Sequence, residues 1–206
     1  MDTDVSRRDH WEAVYTSKQP DEVSWYQAEP RMSLELIRAT ETGHTARVLD
    51  VGGGTSVLVD HLLEEGFENV GVLDISSAAL SATTQRLGEA STSVEWIQAD
   101  ILDYRTGSSW DVWHDRAVFH FLVDPVDRAR YQETLHSSVP EGGHVVIATF
   151  GPEGPRRCSG LETLRCTPQD IERELGGSVR LVEARTESHR TPSGVDQQFV
   201  YARLVR

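Results

Sequence analysis

The sequence predicts an α/β fold, a doubly wound and mostly parallel seven-stranded sheet that finishes in a C-terminal antiparallel hairpin. Three observations carry that prediction. Between Arg47 and Phe150, short β-branched runs alternate with helical patterns at the spacing of right-handed crossovers. The first of these runs, Arg47-Val48-Leu49-Asp50-Val51, passes into Gly52-Gly53-Gly54 before the next helical pattern begins. The chain then closes on two adjacent strand patterns split by Thr191-Pro192-Ser193-Gly194, a turn sequence.

Taken in order, residues 9–15 read as a short helix that sets Trp11 and Tyr15 on one face. Lys18-Gln19-Pro20 breaks the pattern, Val23-Ser24-Trp25-Tyr26 follows, and residues 33–40 form a second helix stopped by Gly43. Three large aromatics, Trp11, Trp25 and Tyr26, are an unusual load for a leader, and the regular alternation of strands and helices begins only after residue 46. Strands are expected over 47–51, 70–74, 94–98, 111–116 and 144–150, with helices over 56–65, 77–88 and 125–138 between them. Glycine and proline punctuate residues 151–168, which read as a loop. A helix over 168–175 and strands over 179–186 and 197–205 complete the sheet.

Bulk properties narrow the function. The 206 residues suffice for one domain with a full core. A net charge of −13 disfavours a nucleic-acid partner, because phosphate backbones are met by basic patches. Met1-Asp2-Thr3-Asp4 lacks the apolar stretch of a signal peptide, and no apolar run reaches membrane length, so a soluble cytoplasmic protein without a membrane partner is the default expectation. Cys158 and Cys166 have no CxxC spacing, and a metal would need further ligands, so no metal is expected.

The glycine turn is the candidate cofactor cradle, since glycines after a strand let a ligand approach the backbone closely. Two cofactor classes compete for it. A dinucleotide motif G-x-G-x-x-G is met by Gly52 and Gly54 but not by Val57. Asp74, at the end of the second strand, suits the ribose hydroxyls of either class. Asp50, two positions before the first glycine, suits a cationic cofactor end such as the ammonium or sulfonium of S-adenosylmethionine.

At this point the motifs resemble those of class I S-adenosylmethionine-dependent methyltransferases. Asp50-Val51-Gly52-Gly53-Gly54-Thr55-Ser56 is similar to their D/E-x-G-x-G-x-G turn, with Ser56 in place of the last glycine. Leu73-Asp74-Ile75-Ser76, Ala99-Asp100-Ile101, the stretch from Trp110 to His120, and Pro140-Glu141-Gly142-Gly143 follow in the family's order. The leader Trp11-Glu12-Ala13-Val14-Tyr15 is similar to a subgroup with a W-x-x-x-Y start, which includes bacterial enzymes of undefined substrate and relatives of protein-lysine methyltransferases. The resemblance implies a Rossmann-like methyltransferase fold over residues 46–206, S-adenosylmethionine as cofactor, and residues 1–45 as a helical cap over the active site. It also implies cofactor contacts from Trp11, Tyr15, Asp50, Gly52, Gly53, Gly54, Asp74 with Ile75, and Asp100 with Ile101.

Asp115 and His120, at the end of the fourth strand, are the residues expected near the methyl group, Asp115 also as a cofactor contact and His120 as a general base and substrate contact. Trp25 and Tyr26 are expected to frame the acceptor. No N/D-P-P-Y/F sequence follows the fourth strand, so an amide or exocyclic amine is not indicated. A small molecule is the first-choice acceptor. A protein lysine is the second, because an acidic aromatic pocket would suit an amine. From other classes, a nicotinamide-dependent reductase or a non-catalytic cofactor-binding module are the remaining readings. The sequence does not fix oligomeric state.

Overall fold

The computed structural model describes residues 6–105 and 107–206, so the polar start, Met1 to Asp4, lies outside the described residues. The chain builds a seven-stranded sheet in the order β3-β2-β1-β4-β5-β9-β8. Its parallel strands are β1 (Arg47–Val51), β2 (Asn69–Asp74), β3 (Val94–Gln98), β4 (Val112–Arg116) and β5 (His144–Phe150). The two long strands β8 (Arg180–Arg190) and β9 (Asp196–Val205) form a hairpin, and β9 runs antiparallel to β5. Order therefore reverses between β1 and β4. In such sheets ligands bind outside the carboxyl ends of the strands at that reversal.

Helices cover both faces, and the local sequence explains where several begin. In α4 (Ser77–Leu87) the Ser76 hydroxyl caps the helix by accepting from the Ala79 amide at 3.2 Å. Helix α5 (Pro125–Ser138) has Pro125 in its first turn and an Asp124 cap that accepts from Val126 at 2.9 Å. Helix α6 (Pro168–Leu175) is held by a reciprocal box. The Thr167 hydroxyl accepts from the Asp170 amide, and the Asp170 carboxylate accepts from the Thr167 hydroxyl at 2.7 Å and amide at 2.8 Å, contacts that with Arg173 hold its carboxyl down at about 2.

One core layer packs Trp113, Tyr131, Leu135 and Ile171 beneath α5 and α6. The opposite layer packs Leu36, Ile37, Leu62 and Val146 beneath α2 (Arg31–Arg38) and α3 (Leu58–Glu64). Leu36 and Ile37 are fully buried, and each such side chain contributes about 1.5–3 kcal/mol by leaving water. α2 thereby fixes one end of the leader onto the sheet. The other end, α1 (Arg7–Ser17), buries no residue completely and lies against α4 at the ligand end of the sheet.

The expected strands are present with bounds shifted by no more than a residue in the first five. β8 is longer than the sequence pattern implied, because its outer residues alternate in exposure all the way to Arg190. Residues 151–168 hold a two-residue pair, β6 (Arg157–Cys158) with β7 (Leu161–Glu162), where a plain loop was expected. Among the described residues, no helix is long and apolar enough to cross a membrane.

Candidate functional site

A cleft opens at the carboxyl ends of β2, β1 and β4, roofed by α1. Its volume is about 820 Å³ counted to its open mouth. The glycine turn forms its floor. Gly52 and Gly54 have φ of +65° and +48°, and a Cβ on Gly52 would run into Val118 while one on Gly54 would meet the Tyr15 hydroxyl and the Asp74 carboxylate. The turn's own amides are engaged: those of Gly52 and Gly53 donate to the Leu73 carbonyl at 2.6 and 3.2 Å, and that of Gly54 reaches Asp74.

Asp74 is buried at the end of β2 and accepts from the Ser76 amide at 2.8 Å. Burial, reinforced by the nearby Asp50 charge, raises its carboxyl to about 7 against the pull of the amides that donate to it. Beyond β3, Asp100 accepts from the Leu102 amide at 2.9 Å and pairs with Arg7 at 3.2 Å, while the buried Ile101 supplies an apolar surface beside it. Arg7 also reaches Asp127 at 2.5 Å, so α1 is tied to the segment after β3 and to the first turn of α5. Glu12 fastens α1 from the other side. Its carboxylate accepts from the Ser76 and Ser77 hydroxyls at 2.7 and 2.9 Å and from the Ala78 amide at 3.1 Å, at the positive end of α4. These contacts lower the Glu12 carboxyl below its ordinary value.

The inner face of α1 meets two other aromatic rings in an edge-to-face cluster. Trp11 lies 5.8 Å from Trp25 and 4.9 Å from Phe121, and Tyr15 lies 6.2 Å from Trp25. Past Trp11 the cleft continues over the ends of β4, β5 and β9. Ala117 takes a positive φ of 72° as the chain leaves β4, which folds residues 118–121 back over the mouth. Phe150 and Phe199, paired across β5 and β9, line this end.

Its polar side chains are Arg116 and His120. The Arg116 Nε donates to the Tyr201 hydroxyl and its Nη1 to the Trp25 carbonyl, both at 2.9 Å, and its guanidinium stacks on Phe199 at 4.4 Å. Its Nη2 has no hydrogen-bond partner, with Glu187 3.9 Å away. His120 is fully buried. The Phe150 amide donates to its Nδ1 at 3.4 Å, which assigns the ring proton to Nε2, and that nitrogen has no partner. Burial, then the Arg116 charge, push the imidazole down to about 3. His120 is thus a neutral hydrogen-bond donor, not the general base expected from sequence.

Of the residues expected at the site, Trp11, Tyr15, Trp25, Gly52, Asp74, Ile75, Asp100, Ile101 and His120 line this cleft. Asp50, Gly53 and Tyr26 line a neighbouring cavity behind the glycine turn, which shares Gly52, Trp25 and Arg116 with the cleft. Asp50 faces no open cationic position there. His114 Nδ1 donates to it at 2.7 Å, and His114 Nε2 lies 2.9 Å from the Ser33 hydroxyl on α2. The placement of Asp115 differs most from expectation. Its carboxylate, fully buried, accepts from the Val118 and Phe119 amides at 2.9 and 3.2 Å and from the Tyr131 hydroxyl at 2.6 Å. It organises the 118–121 turn from beneath and does not line the cleft. Sequence reasoning missed Arg116 and the pair Phe150 and Phe199. Arg116 lies within the stretch from Trp110 to His120, but a lone arginine at a strand end carries no motif of its own.

Comparison with known proteins agrees with this geometry. Residues 48–143 match the model of a methyltransferase domain. Malonyl-[acyl-carrier protein] O-methyltransferase 1 of Ilyobacter polytropus is 29% identical over 106 residues, which is 50% of this chain and 38% of that relative's length. EEF1A lysine methyltransferase 2 of Danio rerio is 27% identical over 162 residues, 70% of this chain and 69% of the relative. Among solved structures, the N-methyltransferase NodS of Bradyrhizobium japonicum in complex with S-adenosylhomocysteine superposes with a TM-score of 0.74 at 17% identity, covering 96% of this chain and 99% of that one. A structure from work on the conversion of a disulfide bond into a thioacetal group during echinomycin biosynthesis gives 0.79 at 20% identity, covering 98% and 92%. At these identities the superpositions establish the fold.

Proposed function

Because the chain belongs to the class I S-adenosylmethionine-dependent methyltransferases, we propose that it transfers a methyl group from that cofactor to a small-molecule nucleophile. The observation that carries this reading is the use of the glycine turn. A dinucleotide needs free amides and a helix N-terminus for its pyrophosphate. Here the amides of Gly52 and Gly53 are already bonded to the Leu73 carbonyl on β2, and the helix that follows, α3, is only seven residues long. The cradle instead offers a buried carboxylate beside a close-packed turn and an aromatic roof, which fits a nucleoside joined through a sulfonium, with no phosphate to be met.

In this reading Asp74 accepts from the ribose hydroxyls, Ile101 and Asp100 border the adenine, and Trp11 and Tyr15 close over the ribose and sulfur end. When bound, the cofactor supplies a methyl carbon already activated by sulfonium. The protein's part is then alignment and the exclusion of water. Trp25, Phe121, Phe150 and Phe199 exclude water around the acceptor, and Arg116 and His120 orient it. The leader, residues 1–45, acts as the cap that completes this enclosure.

A protein lysine acceptor is the second reading, favoured by the longer match to the lysine methyltransferase relative. Incubating the purified protein with methyl-labelled cofactor and a fractionated cell extract separates the two. Label in the low-molecular-weight fraction supports the first reading, and label in protein supports the second.

A further inference from the structure

The distribution of charge along the cleft divides it in two. Its acidic lining residues, Asp74 and Asp100, both follow β2 and β3, at the cofactor end. The described residues that line it from β4, β5, β9 and the 117–122 turn include no acid. Their polar side chains are the fully buried His120 and Arg116, whose side chain is 10% exposed, and each has a donor nitrogen left without a hydrogen-bond partner. Two buried, unpaired N–H groups at one end of a cavity are costly, at about 1–3 kcal/mol each or more for a charged group, unless a ligand satisfies them.

We infer that the acceptor is a carboxylic acid in its ionised form, recognised by Arg116 and His120, and methylated on oxygen to its methyl ester. The inference rests on the methyl-transfer reading given above and narrows its acceptor. A guanidinium is suited to a carboxylate because its N–H groups present a planar fork. Its Nε, Nη1 and ring plane are already fixed by Tyr201, the Trp25 carbonyl and the Phe199 ring, and Glu187 lies 3.9 Å from the buried Nη2, so the guanidinium has a defined position. His120 contributes a neutral Nε2–H, which can donate to an anion and cannot take a proton while its Nδ1 is held by Phe150. Phe121, Phe150 and Phe199 supply the apolar wall for the acid's hydrocarbon part.

The step needs no base. An electron pair on the carboxylate oxygen forms the new O–CH3 bond as the CH3–S bond breaks, and the pair of that bond stays on sulfur. One anion and one sulfonium become a neutral ester and a neutral thioether, and no proton moves. A protonated amine would place a cation beside Arg116 and would need a proton acceptor, which the described residues at this end do not offer. Glu187, the nearest acid to Arg116, receives the Tyr201 hydroxyl at 2.9 Å and stands outside the cleft lining.

The test titrates the protein, preloaded with S-adenosylhomocysteine, with three probes of one shape: 3-phenylpropionate, 3-phenylpropionamide and 3-phenylpropylamine. The expected result is that the carboxylate binds at least about tenfold more tightly than the other two, the equivalent of one charge-assisted contact. Arg116→Gln abolishes that preference and leaves S-adenosylhomocysteine affinity unchanged, and Arg116→Lys restores part of the preference. With labelled cofactor, 3-phenylpropionate gives a base-labile methyl ester. Tighter binding of the amine, equal binding of all three, or no binding of any overturns the inference. So does a loss of S-adenosylhomocysteine affinity in Arg116→Gln, which would assign Arg116 to the cofactor. Failure of the wild-type protein to bind S-adenosylhomocysteine at all is a different outcome, since it overturns the methyl-transfer reading itself. The probe comparison on wild-type protein decides the matter even where Arg116→Gln does not fold.

Discussion

Asp74 connects burial to cofactor affinity. Its carboxyl is raised to about 7, so below neutrality the ligand-free site holds a proton there. Two ribose hydroxyls need the ionised form as their acceptor. S-adenosylhomocysteine affinity should therefore weaken as pH falls below about 7, by up to about tenfold per pH unit, and Asp74→Asn should flatten that slope; calorimetric titration between pH 5.5 and 8.5 reads both. The stability term has the opposite sense. Asp74 and Asp115, raised to about 7 and about 6, keep protons in the folded state that the unfolded chain has released, so their contribution to ligand-free stability declines as pH rises from about 4 to 7. Denaturant unfolding of wild type against Asp74→Asn across that range shows this as a shrinking difference in favour of wild type. Asp115 tests a separate point. Asp115→Ala leaves two amides and the Tyr131 hydroxyl unpaired in the core, and should cost about 2–4 kcal/mol in urea unfolding. At a permissive temperature, the folded variant should bind S-adenosylhomocysteine with an affinity close to that of wild type.

At the scale of elements, α1 is held at its start and its middle. Arg7 bridges Asp100 and Asp127, and Glu12 caps α4, while no residue of the helix is completely buried. Such an element opens at a fraction of the global unfolding free energy. Glu12→Ala should raise hydrogen exchange across residues 7–17 and weaken S-adenosylhomocysteine binding by roughly fivefold, the equivalent of about 1 kcal/mol of lost hydrogen bonding. Exchange unchanged from wild type would show that the aromatic contacts alone hold the roof. Because the Arg7 pairs are partly exposed, salt screens them, and high ionic strength should increase exchange in the same segment.

For the whole molecule, what was legible in the sequence followed local period. Strands β1 to β5 and helices α4 to α6 carry their own pattern and punctuation, and their bounds were read closely. Helix α3 begins at Leu58, two residues later than expected, because Ser56 still belongs to the glycine turn, its amide donating to the Gly53 carbonyl at 2.8 Å. The β6–β7 pair was invisible, since two-residue strands have no period. The cofactor end of the site was legible for a related reason: its residues end consecutive strands and fall in compact motifs. The acceptor end was not. Phe150 and Phe199 meet only through the register of β5 and β9, and Asp50 meets His114 only through that of β1 and β4. Register is a long-range property that no single window of sequence displays.

The measurement closest to the central claim is isothermal titration of the purified protein with S-adenosylhomocysteine, with NADH as the control ligand and Asp74→Ala as the control variant. Micromolar binding of S-adenosylhomocysteine, lost or strongly weakened in Asp74→Ala and absent for NADH, is the result this account predicts. Binding of NADH in its place would contradict it, because the amides of the glycine turn would then have to leave Leu73 and Asp74 to receive a pyrophosphate.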